Sequence, residues 1–376
     1  MKKVLFIIPE LSHGGTNKSL EFLLPHLINL CTISIVSLQD KGVYEETFQP
    51  YNLNTVGDTY IKFKKSIIYR ILNRFFQPVS NFLLNCIFQS EARRISKLIN
   101  PDIVVAYQEG EATLFASKFN QKKISWIHCD YKLYRDIVTS MNEYVIYNKF
   151  NHIICVSKYT ARSFVNYYPQ LSQKVSYMYN VLDIEKINEL ALYNVMDKRF
   201  NVTNDSFVCI SVGRYVDVKQ FDRIPSIVSQ VMSKGISKKL LWYIIGDGDE
   251  KLIKYTNEEI KKYGLENNIV LLGAKTNPYP YIKSSNLLIT LSKSEACPYV
   301  INEAKILKVP LLSTDYPSAV ELIGKEQGLI RSISDFPEAI CHLIEDKEGV
   351  YTKIHEAAQK NNYINDVEML KDIICS

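Results

Sequence analysis

Short runs of Val, Ile and Leu recur in two sets along this chain, each ending at a glycine, proline or charged residue. Lys3–Pro9 is the first run, and the loop Glu10–Thr16 carrying Gly14 and Gly15 follows it. A helical pattern then places Leu20, Leu23, Leu24, Leu27 and Ile28 at helical spacing from Asn17 to Leu30. Thr32–Leu38, Ile103–Ala106, Ile124–Ile127 and His152–Val156 continue the series of strand candidates, with helical stretches between them. Ser157 opens a helix toward Tyr168, and Pro169 stops it. Strands buried on both faces of a parallel sheet need such continuous apolar runs, and the helices between them supply the crossovers. The fold class is therefore α/β.

The pattern restarts after the polar stretch Asn194–Asp205, with strand candidates Phe207–Val212, Leu240–Ile245, Ile269–Leu272, Leu287–Leu291 and Val309–Ser313. At 376 residues the chain is long for one typical core. Two Rossmann-like domains are expected, residues 1–190 and 191–376, with the last helix free to pack back on the first domain. Lys2 and Lys3 precede an apolar run that Pro9-Glu10 cuts short, below the about 7–15 residues of a secretory signal core. No run approaches the roughly 18–20 apolar residues of a membrane span. The eight cysteines are scattered, without metal-ligand or disulfide-framework spacing. A cytoplasmic location is expected.

Ligands of open α/β sheets sit beyond the carboxyl ends of the strands, so residues placed there carry functional weight. Gly213, Arg214 and Lys219 follow Phe207–Val212. Glycine permits close approach of a ligand, and the two cations can neutralise a diphosphate. Glu295 and Glu303 follow Leu287–Leu291, one in a loop and one in the next helix, where carboxylates can accept from sugar and ribose hydroxyls. Taken singly, these residues also read as turn and cap residues. His128 ends the strand Ile124–Ile127 and suits either a sugar contact or a structural role. Gly14 and Gly15 open a helix whose N–H groups can hold an anion. Asp247-Gly248-Asp249 has the form of a metal-binding carboxylate pair, but its glycine-rich setting after a strand reads as a turn, and no metal site is expected.

Net charge is +5 and unevenly spread: no carboxylate lies between Asp58 and Glu91, where Lys62, Lys64, Lys65, Arg70 and Arg74 fall. On a helix, Ile67, Ile68, Ile71, Leu72, Phe75 and Phe76 share one face opposite Arg70 and Arg74. The stretch Lys62–Phe76 therefore reads either as a surface helix packed on the N-terminal domain or as a contact with an anionic membrane surface. Nucleic-acid binding finds no support, because no recognised module accompanies the stripe.

Val212–Ile224, Ile244–Lys251 and Leu271–Asp315, in that order and spacing, resemble the GT-B glycosyltransferases of family 4, and the resemblance extends over nearly the whole chain. The Gly14-Gly15 loop, Trp126-Ile127-His128 and Val156-Ser157-Lys158 resemble the N-terminal half of that family. The resemblance implies two Rossmann-like domains facing a central cleft, with Arg214 and Lys219 on the donor diphosphate. It implies Glu295 on the donor sugar, Glu303 on the ribose, Gly14 and Gly15 closing over the phosphates, and His128 near the transferred sugar. It also implies a retaining, metal-independent enzyme that needs no cofactor beyond its nucleotide-sugar donor. Ala296 stands where the family usually has Gly, and Ser318-Ala319 replaces a Gly-rich turn before Glu321; a Cβ there narrows the sugar pocket if φ is positive.

The expected function is transfer of a sugar from a nucleotide diphosphate donor, UDP-linked by preference, to a hydroxyl of a glycan or lipid-linked glycan, as in surface polysaccharide synthesis. A catalytically silent binding subunit and a nucleotide-sugar epimerase are the alternatives. A dinucleotide oxidoreductase is disfavoured because no G-x-G-x-x-G follows the first strand.

Overall fold

A computed structural model describes residues 1–12, 14–39, 42–137, 143–324, 328–360, 363–365 and 367–375. The chain divides into two units, Met1–Leu182 with Asn365–Ser376, and Asp183–Ile364.

The first unit carries β1 (Lys2–Ile8), β2 (Cys31–Ser37), β3 (Leu53–Thr55), β4 (Ile103–Ala106), β5 (Lys122–Ile127), β6 (His152–Cys155) and β7 (Val175–Tyr177). They form one sheet in the order β3-β2-β1-β4-β5-β6-β7, and every neighbouring pair is parallel. Val4 pairs with Ile33 on one side and Ile103 on the other. Leu5, Ile7, Val104, Ala106 and Ile127 enter a core with Phe88, Phe115 and Phe164 from the covering helices. Burying each such side chain is worth about 1.5–3 kcal/mol, which is why these strands are apolar on both faces.

The second unit repeats the plan. Its strands are β8 (Ser206–Val212), β9 (Lys239–Ile245), β10 (Ile269–Gly273), β11 (Leu287–Thr290), β12 (Leu311–Thr314) and β13 (Gly328–Arg331), in the order β10-β9-β8-β11-β12-β13. All pairs are again parallel. In each sheet the order reverses beside the first strand, between β1 and β4 and between β8 and β11. That reversal opens a crevice at the carboxyl ends, where α/β sheets take their ligands.

Two boundaries differ from the sequence reading. The division falls at Leu182/Asp183 rather than at residues 190/191. Asp183 caps the helix Ile184–Leu190 by accepting from Lys186 N at 2.9 Å, and Asn277 Nδ2 donates to Leu190 O at 2.8 Å, which binds this helix into the second unit. Asn194–Asp205 is also no free linker. Phe200 packs on Tyr243 and Tyr281, and Arg199 donates to the carbonyls of Leu271 and Leu272. At the other end, Asn365 and the helix Glu368–Cys375 belong to the first unit, where Asn365 exchanges hydrogen bonds with Leu182.

The helix expected over Asn17–Leu30 ends earlier, at Leu23, and passes into a 3-10 turn at Leu24–His26; Pro25 has no N–H to continue it. Ser157 caps the helix Lys158–Tyr167 as expected, its hydroxyl accepting from Thr160 N. Among the described residues no helix is long and apolar enough to cross a membrane.

Candidate active site

In the second unit, the loops after β8 and β9 join backbone to backbone. Gly213 N donates to Ile245 O at 3.0 Å, Tyr215 N to Asp247 O at 2.9 Å, and Asp249 N to Tyr215 O at 2.8 Å. This closeness leaves no room for side chains. A Cβ on Gly246 (φ 154°) would stand 1.8 Å from Gly213 O, and one on Gly248 (φ 156°) 2.4 Å from Tyr215 O. Asp247 and Asp249 serve this turn. The first accepts from Gly248 N, and the second caps the helix Glu250–Lys262 by accepting from Lys251 N, each at 2.8 Å.

Lys219 lies over Gly213, where a Cβ would come within 3.3 Å of its Cε. Its ammonium pairs with the Glu295 carboxylate at 2.5 Å, and each side chain is only 18% exposed. Glu295 also accepts from Ser292 Oγ at 2.8 Å, while Ser318 Oγ donates to the Glu295 carbonyl at 2.6 Å. Thr314 Oγ1 donates to Ser292 O at 2.6 Å, and Lys293 N to Val218 O at 2.8 Å. The loops after β8, β11 and β12 are thereby tied into one rim beside the sheet's reversal point.

Gly213, Lys219 and Glu295 therefore meet, as the strand-end argument requires. Arg214 shares the β8 loop and is exposed. Glu303 sits deeper, 3% exposed within the helix Tyr299–Ile306, and accepts from Tyr279 Oη at 3.4 Å. Ser292 escaped the sequence reading, and Ser318 was read only as a departure from a Gly-rich turn, not as a support for Glu295. A serine that steadies a glutamate from another strand's loop carries no local signal.

In the first unit, Gly14 caps the helix Gly15–Leu23 with extended backbone (φ −178°), and a Cβ there would meet no atom within 4 Å. Its absent side chain leaves open space rather than relieving strain. Asn17 closes the loop by donating to Glu10 O at 3.0 Å and Ser12 O at 2.8 Å. His128 N donates to Glu109 Oε2 at 2.9 Å. The His128 ring stacks near Trp126 and lies 4.8 Å from Tyr107. Neither His128 Nε2 nor Trp126 Nε1 has a hydrogen-bond partner among the described residues, and both atoms are out of solvent. Glu109 was missed, although its place directly after β4 marks it by the same strand-end rule.

Burial lowers the His128 pKa to about 3, so the ring is neutral at physiological pH. The ordinary histidine value is about 6.5. Between those values the unfolded chain binds the extra proton, so this residue's stabilisation is full above about 6.5 and is lost as pH falls toward 3. Thermal midpoints should fall through that window in the wild type and fall less steeply in His128→Gln. Equal slopes in the two proteins would mean that the ring titrates normally.

Residues 13–186 match the family described as Glycosyltransferase Family 4, and residues 195–362 match Glycosyl transferases group 1. The chain belongs to the family 4 glycosyltransferases of the GT-B fold. It is 28% identical over 306 residues to an uncharacterized glycosyltransferase of Methanocaldococcus jannaschii, covering 75% of this chain and 72% of that one. It is 25% identical over 336 residues to the amylovoran biosynthesis glycosyltransferase AmsD of Erwinia amylovora, covering 88% and 86%. Among solved structures, Anabaena HepE in complex with UDP and glucose superposes with a TM-score of 0.71 over 100% of this chain and 98% of that one, at 15% identity.

As a family 4 glycosyltransferase, the chain departs from pattern at Ala296, Ser318 and Ala319. None of the three is among its positive-φ residues, so their Cβ atoms strain no backbone. Ser318 gains a specific contact instead, its hydrogen bond to the loop that presents Glu295.

Proposed function

We propose that this glycosyltransferase moves a sugar from a UDP-linked donor, with retention of configuration, to a hydroxyl of a glycan or lipid-linked glycan in surface polysaccharide synthesis. The observation that carries this reading is the Lys219–Glu295 pair at the reversal point of the second sheet. It presents a cation and a carboxylate together, one suited to a diphosphate and the other to sugar hydroxyls. Support for the donor comes from HepE, solved in complex with UDP and glucose. Support for the pathway comes from AmsD, named for amylovoran biosynthesis. A Campylobacter jejuni relative, 27% identical over 196 residues, is named for transfer to a diphospho-undecaprenol-linked sugar.

In this mechanism Arg214 and Lys219 hold the diphosphate and stabilise its departure with the negative charge it gains. The acceptor hydroxyl attacks the anomeric carbon on the face that the diphosphate leaves, and its proton passes to the departing phosphate oxygen. Glu295 holds the sugar hydroxyls and Glu303 takes the ribose. Every group in this sequence is a protein side chain, and no metal is required.

The test is thermal unfolding with UDP, GDP, ADP and CMP. A nucleotide at about 100 times its dissociation constant adds roughly 2.7 kcal/mol, a shift of several degrees. UDP should give that shift and UDP-sugars should then be consumed in the presence of a glycan acceptor. A shift with GDP or ADP in place of UDP would overturn the donor assignment.

A further inference from the structure

One oxygen of the Glu295 carboxylate carries two partners. Lys219 Nζ lies 2.5 Å from Oε1, and Ser292 Oγ donates to the same atom at 2.8 Å. Among the described residues no hydrogen bond falls on Oε2. The two partners differ in kind. Lys219 sits at the end of the 3-10 turn Asp217–Lys219, and its ammonium, at the tip of a long side chain, answers to any anion that enters the loop. Ser292 is buried, 2% exposed. Its hydroxyl is uncharged and turns about one side-chain bond, and its backbone is pinned by Thr314 Oγ1, which donates to Ser292 O at 2.6 Å. A short side chain of this kind gives up far less rotamer freedom on ordering than a lysine or a glutamate does.

A bound diphosphate changes the balance between them. It brings more than one negative charge against the single charge of Glu295, so the shared ammonium is drawn toward it. Glu295 is then left with Ser292, beside an anion that repels it. A carboxylate on a glutamate's rotatable bonds, with no fixed donor, would follow Lys219 or swing to water. Either movement takes it away from the sugar, and misplacement by about 1 Å is enough to cost a hundredfold in rate. Ser318 does not prevent this, because its hydroxyl holds the Glu295 carbonyl and not the carboxylate. An uncharged donor fixed from behind is the partner that an incoming diphosphate does not draw off.

We propose that Ser292 is a positioning residue for the transfer reaction, keeping the Glu295 carboxylate aimed at the sugar while Lys219 exchanges that carboxylate for the diphosphate. This role presupposes the donor assignment above, in which Lys219 holds the diphosphate and Glu295 the sugar. In the free protein both partners share Oε1. With donor bound, Ser292 keeps Oε1 and Oε2 accepts from a sugar hydroxyl. Ser292 is buried behind the carboxylate and touches no substrate itself, so its effect is read where a sugar is present and not where the nucleotide binds alone.

The test compares Ser292→Ala and Ser292→Thr with the wild type, by calorimetric titration with UDP and by titration and turnover with whichever of UDP-glucose, UDP-galactose and UDP-N-acetylglucosamine the wild type consumes. Ser292→Ala should bind UDP within about threefold of wild type, yet lose the gain in affinity that the sugar adds and fall about 10–100-fold in kcat, the worth of a hydrogen bond to a charged group. Ser292→Thr keeps a hydroxyl on the same Cβ and should recover most of that loss. Retained UDP binding and an unchanged thermal midpoint show that each variant folds. Wild-type turnover in Ser292→Ala would overturn the proposal. So would equal weakening of UDP and UDP-sugar, which marks a support of the whole site, or a folded Ser292→Thr no more active than Ser292→Ala. The split between UDP and UDP-sugar in Ser292→Ala is sufficient even if the threonine methyl is not accommodated. A wild type that binds no UDP would instead remove the donor assignment, and this role with it.

Discussion

Replacing Lys219 with alanine should lower turnover by about 10²–10³ and remove the thermal shift with UDP. The ammonium is the only one within ion-pair distance of Glu295 among the described residues. Its loss therefore deprives the diphosphate of a fixed countercharge and leaves a carboxylate facing where that diphosphate would bind. Some stability should go too, about 1–3 kcal/mol, because the carboxylate is mostly buried and, among the described residues, keeps the Ser292 hydroxyl as its side-chain partner. A companion variant separates the roles. Glu295→Gln should keep the UDP shift, since the nucleotide alone carries no sugar, yet lose the extra stabilisation that a UDP-sugar adds over UDP. If Lys219→Ala retains wild-type turnover, or if Glu295→Gln abolishes the UDP shift, the assignment of diphosphate to one residue and sugar to the other fails.

The largest loss of stability is expected from Gly246→Ala. Its new methyl group would lie 1.8 Å from Gly213 O, and neither partner can retreat. Gly246 N donates to Gly273 O, and Gly213 N donates to Ile245 O, so both backbones are pinned in the sheet. Overlap of this kind, added to a φ that alanine tolerates poorly, should cost about 3–5 kcal/mol. Gly235→Ala is the control. Gly235 also has positive φ (68°), but a Cβ there would meet no atom within 4 Å. It should cost only about 1–2 kcal/mol. Chemical denaturation of the two variants distinguishes collision from backbone preference. Equal losses would mean that the loops after β8 and β9 separate more easily than their hydrogen bonds indicate. Because Gly213 lies under Lys219, Gly246→Ala should also weaken UDP binding in whatever fraction stays folded.

Much of the fold was legible because strands β1, β2, β4, β5, β6, β8, β9, β11 and β12 lie inside their sheets or against covered neighbours. Their sequences had to be apolar on both faces, and such runs stand out. Of the four edge strands, β10 was read from its apolar run, and β3, β7 and β13 were not. Leu53–Thr55 and Val175–Tyr177 are half-buried at best, and a short strand covered on one side looks like loop. The division near residue 190 was misplaced for a similar reason. Asn194–Asp205 is polar, yet Phe200 and Arg199 tie it to β9 and β10 through contacts that composition does not register.

The site divides along the same line. The amino-acid order by itself determined the alternation of strand and helix, and hence that Gly213, Lys219, Glu295 and His128 lie at carboxyl ends of parallel strands. It also carried the family, through blocks whose spacing survives substitution. Only the tertiary structure decided that Lys219 and Glu295 touch, that Ser318 steadies the Glu295 loop from another strand, and that Ile67–Phe75 leaves its apolar side bare. Period and spacing are properties of one segment, set by local backbone geometry. Contact between segments depends on sheet order and on how closely two backbones approach, and that is settled by packing after the chain has folded.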